Sequence, residues 1–116
     1  MTLHDFYAAL GGDSRQVLDR LLSESMVRRF LHRFPDDPSY SELKAALAAS
    51  DFSTAFRAAH TLKGTAATLG LDALSVAASE LTEALRGASV PPKPGLVAAV
   101  DAAYRHAAER IGQLDA

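Results

Sequence analysis

Cysteine is absent from the chain, which removes disulfides, a thiol nucleophile and any thiolate metal site. A strong charge of one sign is absent too: 12 basic residues stand against 14 acidic ones, for a net charge of −2. No basic field marks the chain as a nucleic-acid binder. No apolar run approaches the roughly 20 residues that a membrane span needs. The N-terminal stretch from Met1 to Tyr7 has neither the basic flank nor the apolar centre of a secretory signal. These absences leave a soluble, cytoplasmic protein as the expectation, and the starting methionine with a capped first helix favours a free-standing one. At 116 residues one domain spanning 1–116 is expected, large enough to bury a core unaided. β-Branched residues are sparse and alanine and leucine dominate, which favours helix throughout.

The apolar spacing lays out the helices in order. Leu3, Phe6, Tyr7 and Leu10 form one face of a short helix that Thr2 caps and Gly11–Gly12 ends. Asp13 then caps a long helix over Ser14–Phe34, with Val17, Leu18, Leu21, Leu22, Met26, Val27, Phe30, Leu31 and Phe34 as a single buried stripe. Arg28, Arg29, His32 and Arg33 load its last turns with positive charge. That suits a solvated helix C-terminus, which is the preferred reading; the other reading is contact with an acidic partner surface. Pro35 and Pro38 break the chain. Ser39 with Glu42 reads as a capping box for the next segment, which either joins the following helix through a bend or meets it at an angle. Asp51 caps a fresh start at Phe52, and Gly70 ends that helix in a left-handed cap position. Asp72 caps a helix to about Arg86 whose apolar face is Ala73, Leu74, Ala77, Ala78, Leu81, Ala84 and Leu85. A proline-rich connector leads to a last helix from near Gly95 towards Leu114, with Leu96, Val100, Ala103, Tyr104, Ala107 and Ile111 on its buried face. The expected fold is all-α: an antiparallel up-and-down four-helix bundle with a short N-terminal capping helix.

Most enzyme chemistries lack their parts. No histidine sits in HExxH or Glu-x-x-His, so zinc and di-iron sites are not expected and metal ligands are set at none. There is no G-x-S-x-G elbow and no P-loop, and no convincing strand to carry one. A nucleotide site is therefore not expected, and any phosphate chemistry must use a phosphoryl group that another protein brings.

The stretch from Arg57 to Gly70 stands out against this background. Phe52, Ala55, Ala59, Leu62, Ala66 and Leu69 form the core stripe of its helix. At about 100° per residue, His60 points roughly 130° away from that stripe, into solvent. Lys63 and Gly64 follow one turn on, beside the imidazole. A neutral imidazole nitrogen is a good nucleophile, and Lys63 can pair with a phosphoryl oxygen once the histidine carries one. A glycine inside a helix costs about 1 kcal/mol against alanine, so Gly64 reads as clearance for an approaching protein, and Ala67 keeps the next turn flat.

The segment A-A-H-T-L-K-G-T-A-A-T-L-G, Ala58–Gly70, closely resembles the signature of histidine-containing phosphotransfer (HPt) domains. The preceding D-F-S-T-A-F-R-A-A and E-L-K-A-A-L-A-A resemble the family's approach to that motif, and the resemblance spans Leu10 to Arg86. It implies a monomeric bundle without catalytic activity of its own and without a cofactor, in which an exposed histidine takes a phosphoryl group from a receiver-domain aspartate and passes it to another. By position it implies His60 as phosphoacceptor, Lys63 as the charge-neutralising lysine and Gly64 as the clearance glycine. Phe56, Arg57, Ala67 and Leu71 would supply the docking surface. The partners implied are receiver domains of response regulators or of a hybrid histidine kinase, with Mg²⁺ held by the receiver. Family members often orient the histidine ring with a polar side chain; Thr61, Ser53 and Thr68 are the nearby polar residues, and none is assigned that role. Two other readings compete. A histidine-kinase dimerisation domain would place an acid directly after the histidine, where Thr61 stands. A helical adaptor would use the same surface for binding without phosphotransfer.

Overall fold

The computed structural model describes residues 1–21 and 23–115, with only the backbone of Leu21. Among these residues it is all-helical: α1 (Leu3–Ala9), α2 (Ser14–Leu21), α3 (Glu24–Arg33), a 3-10 turn (Phe34–Asp36), α4 (Ser39–Ala48), α5 (Phe52–Thr68), α6 (Asp72–Leu85) and α7 (Pro94–Gln113). α5 lies at the centre, packed against α4 on one side and α6 on the other, and α6 packs in turn on α7.

The expected long helix from Ser14 to Phe34 is instead two helices. Ser23 takes an extended backbone, and its hydroxyl accepts from the Met26 N–H at 3.2 Å, starting α3 afresh. Its burial pattern differs as well. Val27, Leu31 and Phe34 are buried, whereas Met26 and Phe30 are 39% and 37% exposed. The single apolar stripe was two neighbouring ones, and only one faces inward. Leu22, assigned to that stripe, lies outside the described residues, as does the Leu21 side chain.

The caps are mostly those the sequence suggests. Thr2 accepts from Asp5 N–H at 3.1 Å, Asp13 from Arg15 N–H at 2.9 Å and Asp51 from Thr54 N–H at 3.1 Å. The Ser39–Glu42 box does not form; Asp37 accepts from the Ser39 N–H at 2.9 Å instead. Asp72 is the first residue of α6 rather than its cap, where its charge still favours the helix N-terminus. α4 and α5 are separate helices, divided at Ser50, whose φ is 56°.

Three contacts fix α5 at its C-terminal end. Gly70 has φ +71°, and a Cβ there would run into Val17 Cγ2, so both backbone and space require glycine. The Tyr7 hydroxyl donates to the Leu69 carbonyl at 2.7 Å, and Arg20 Nη2 to the Ala67 carbonyl at 3.0 Å. α1 and α2 thereby cover that end. α7 is tied to α4 by Asp101, which accepts from the Tyr40 hydroxyl at 2.6 Å and from Lys44 Nζ at 2.9 Å. The Tyr40 and Tyr104 rings stack at 3.8 Å. Burial, then the bond to Asp101, pushes the Tyr40 phenol up to about 12. Burial also pushes the Asp101 carboxyl upwards, but the Tyr40 and Lys44 bonds outweigh it and hold it below its ordinary range.

Candidate functional site

α5 is amphipathic through its middle. Ala55, Ala59, Leu62 and Ala66 are at most 1% exposed, and Ala58 is buried beside them. His60 and Thr61 are exposed on the opposite side. The helical phase read from the core stripe therefore holds, and His60 points to solvent. Lys63 is half-buried on the next turn and Gly64 is exposed. A Cβ built on Gly64 meets nothing within 4 Å. No packing inside the molecule asks for glycine there.

Of the remaining sequence-predicted site residues, Phe56 sits one turn before His60 with its ring centre 6.3 Å from the imidazole. Arg57 is exposed and shares a groove with Phe56 and His60. Ala67 is exposed and lines a second groove with Lys63 and Gly64, facing α6. Leu71 is not at the surface: it is 2% exposed. The turn after α5 explains the difference. The Leu71 N–H bonds to the Ala66 carbonyl at 2.9 Å and the Gly70 N–H to the Ala67 carbonyl at 3.1 Å. This pair of bonds around a left-handed glycine folds the following apolar residue back onto the helix. Leu71 thus belongs to the core and offers no docking surface.

Three residues that the linear motif did not bring in stand next to His60. Phe30 and Arg33 of α3 face α5 across a groove of about 550 Å³ that His60, Gly64 and Thr68 also line. Met26, Phe30 and Arg33 recur at helical spacing on the outer side of α3, a signal hidden because Val27 and Leu31 run directly beside it. Arg86, at the end of α6, lines the groove on the other side of His60. Its guanidinium carbon lies 5.1 Å from the Phe56 ring centre, within cation–π range. Its Nη2 donates to Glu83 Oε1 at 3.0 Å. Those bonds, and then the charge of Arg86, hold the Glu83 carboxyl below its ordinary range. The basic run on α3 divides: Arg28 and His32 meet the Asp115 backbone carbonyl, at 3.1 and 3.2 Å, and only Arg33 reaches the His60 side.

The arrangement is an exposed imidazole ring between two open grooves, with cations on both sides and a bare helical turn beside it. Among the described residues, no hydrogen bond reaches the His60 ring, so Thr61, Ser53 and Thr68 do not orient it. No group of three or more potential metal ligands occurs among the described residues either. No described helix is long and apolar enough to cross a membrane.

No curated protein and no solved structure matches the chain. A family model described as the Hpt domain matches residues 25–113. The match runs past Arg86 through the whole of α7 and begins within α3, leaving α1 and α2 in front of it. It takes in His60 with both of its grooves, and the chain belongs to the Hpt domain family.

Proposed function

We propose that the protein is a phosphorelay intermediate of two-component signalling, in which His60 accepts a phosphoryl group from a receiver-domain aspartate and passes it to another. Hpt domains are phosphocarriers that work with receiver domains. One observation carries the reading for this chain: His60 stands exposed beside Gly64, a helical glycine where an added Cβ would meet nothing within 4 Å.

In the transfer, the unprotonated imidazole nitrogen attacks phosphorus in line with the aspartyl oxygen. The aspartyl P–O bond breaks, a P–N bond forms, the carboxylate leaves with the electron pair and the ring proton passes to solvent. Such reactions rely on positioning and charge stabilisation. Lys63 faces the growing charge on the phosphoryl oxygens as a point charge. Gly64 and Ala67 leave room for the receiver, and Phe56 and Arg57 contribute to its docking. Mg²⁺ comes with the receiver, and the chain itself supplies neither cofactor nor metal. We read residues 1–116 as a single monomeric, cytoplasmic domain and α4 to α7 as its up-and-down antiparallel bundle, with α4 in the place expected of the helix over Ser14–Phe34. The successive packing of α4 on α5, α5 on α6 and α6 on α7 supports that topology.

Incubation with a panel of phosphorylated receiver domains tests the proposal. The expected product carries a label that is acid-labile and base-stable, as phosphohistidine is. A receiver that binds the protein but transfers nothing would support the adaptor reading instead.

A further inference from the structure

We propose that Glu83 and a phosphoryl group on His60 compete for one cation, the guanidinium of Arg86, so that Glu83 holds Arg86 in reserve beside the acceptor until the phosphoryl group arrives. The inference rests on the phosphoacceptor role proposed for His60.

Arg86 is placed for this by the end of α6. It is the C-cap residue of that helix, one turn after Glu83, and Gly87 follows it with φ +62°. Its Nε donates to Glu83 Oε2 at 3.2 Å and its Nη2 to Oε1 at 3.0 Å. The guanidinium stands 5.1 Å from the Phe56 ring centre, and that ring stands 6.3 Å from the imidazole. Phe56 thus neighbours both the cation and the acceptor, and all three line one groove of about 440 Å³.

The strength of the resting pair decides whether it can release. The Arg86 and Glu83 side chains are 60% and 61% exposed. An ion pair so far into water is weak. A phosphoryl group brings nearly two negative charges and three acceptor oxygens, which the planar guanidinium matches with two parallel bonds. It also repels the Glu83 carboxylate, which feels the charges of Lys63 and His60 as well as that of Arg86. The other charged groups around the acceptor are Arg57 in the same groove, Lys63 on the next turn with Glu80 of α6 lining the groove beside it, and Arg33 and Asp37 across the α3 groove. Among the described residues at this site, Arg86 is the cation paired with a carboxylate, and so the one whose availability phosphorylation can change.

Phosphoramidate is the probe. An imidazole nitrogen attacks its phosphorus, the P–N bond to ammonia breaks, and the ring proton leaves with the ammonia as ammonium. The ³¹P resonance that disappears in His60→Gln then reports the pKa of the phosphoryl group on His60. Arg86→Gln is expected to raise that pKa by roughly half a pH unit or more, because a neighbouring cation favours the dianion. Glu83→Gln is expected to lower it. The same Glu83→Gln change made in Arg86→Gln protein is expected to shift it less than half as far. An equal Glu83→Gln shift with and without Arg86 would mean simple like-charge repulsion and would overturn the competition; so would an Arg86→Gln protein with an unchanged pKa. If no resonance depends on His60 at all, the phosphoacceptor reading itself fails and takes this inference with it. That outcome is distinct from a labelled His60 with unmoved pKa values.

Discussion

The two faces of α5 both carry small residues, for opposite reasons. On the inner face Ala55, Ala59 and Ala66 are completely buried, and their small side chains let α4 and α6 close in. On the outer face Gly64 and Ala67 are exposed, and a Cβ on Gly64 would touch nothing. The inner residues answer to neighbours in the same chain. The outer glycine answers to none of them, although a glycine at a helix interior costs about 1 kcal/mol. A cost without an internal return points outward, to a partner that must come close to His60.

Substitutions on the two faces should therefore separate stability from phosphoryl chemistry. The largest effect belongs to His60→Gln, which should abolish phosphoryl acceptance from any receiver while leaving the thermal midpoint where it was. Leu62→Ala, on the inner face, should cost about 2–5 kcal/mol in urea unfolding while the folded fraction still accepts label; stability within about 0.5 kcal/mol of wild type would refute the helix phase. Gly64 is the sharpest case because its two substitutions should diverge. Gly64→Leu should slow receiver-to-protein transfer by about tenfold, on the order of 1.4 kcal/mol in barrier, without loss of helicity. Gly64→Ala should raise stability by up to about 1 kcal/mol. A Gly64→Leu protein with wild-type transfer rates would remove the clearance argument.

The smallest effect lies away from α5. Asp101→Asn weakens the tie between α4 and α7 and should cost about 1 kcal/mol at neutral pH, since Lys44 is 40% exposed and its pair with Asp101 is partly screened. The Asp101 carboxyl is held below its ordinary range in the folded protein. Its contribution is thus complete above the unfolded value of about 3.9 and fades as the pH falls through the lower folded value. Urea titrations should show the gap between wild type and Asp101→Asn narrowing below about pH 4. A gap of the same size in acid would mean that the carboxylate's charge does not matter there.

What the sequence made legible follows local rules. The α5 core stripe repeats at helical spacing over the length of that helix, so the outward direction of His60 could be read from its own neighbours. Caps at Thr2, Asp13, Asp51 and Gly70 are short-range and were legible for the same reason. The division at Ser23 was not, because Met26–Val27 and Phe30–Leu31 place two stripes side by side and imitate one wide apolar face. Leu71 misled in another way: it follows the motif directly, but the left-handed turn at Gly70 folds it inward. Phe30, Arg33 and Arg86 come to His60 from α3 and α6. Only tertiary packing joins them to it, and no spacing within the motif could.

The chain has three other histidines, His4, His32 and His106, all exposed like His60, and this allows a direct comparison within one molecule. After transfer from a phosphorylated receiver domain, the phosphoryl group can be located by peptide mass spectrometry under alkaline conditions. Label is expected on the peptide that contains His60 and on none of the other three. Label on His4, His32 or His106, or spread evenly over all four, would contradict it.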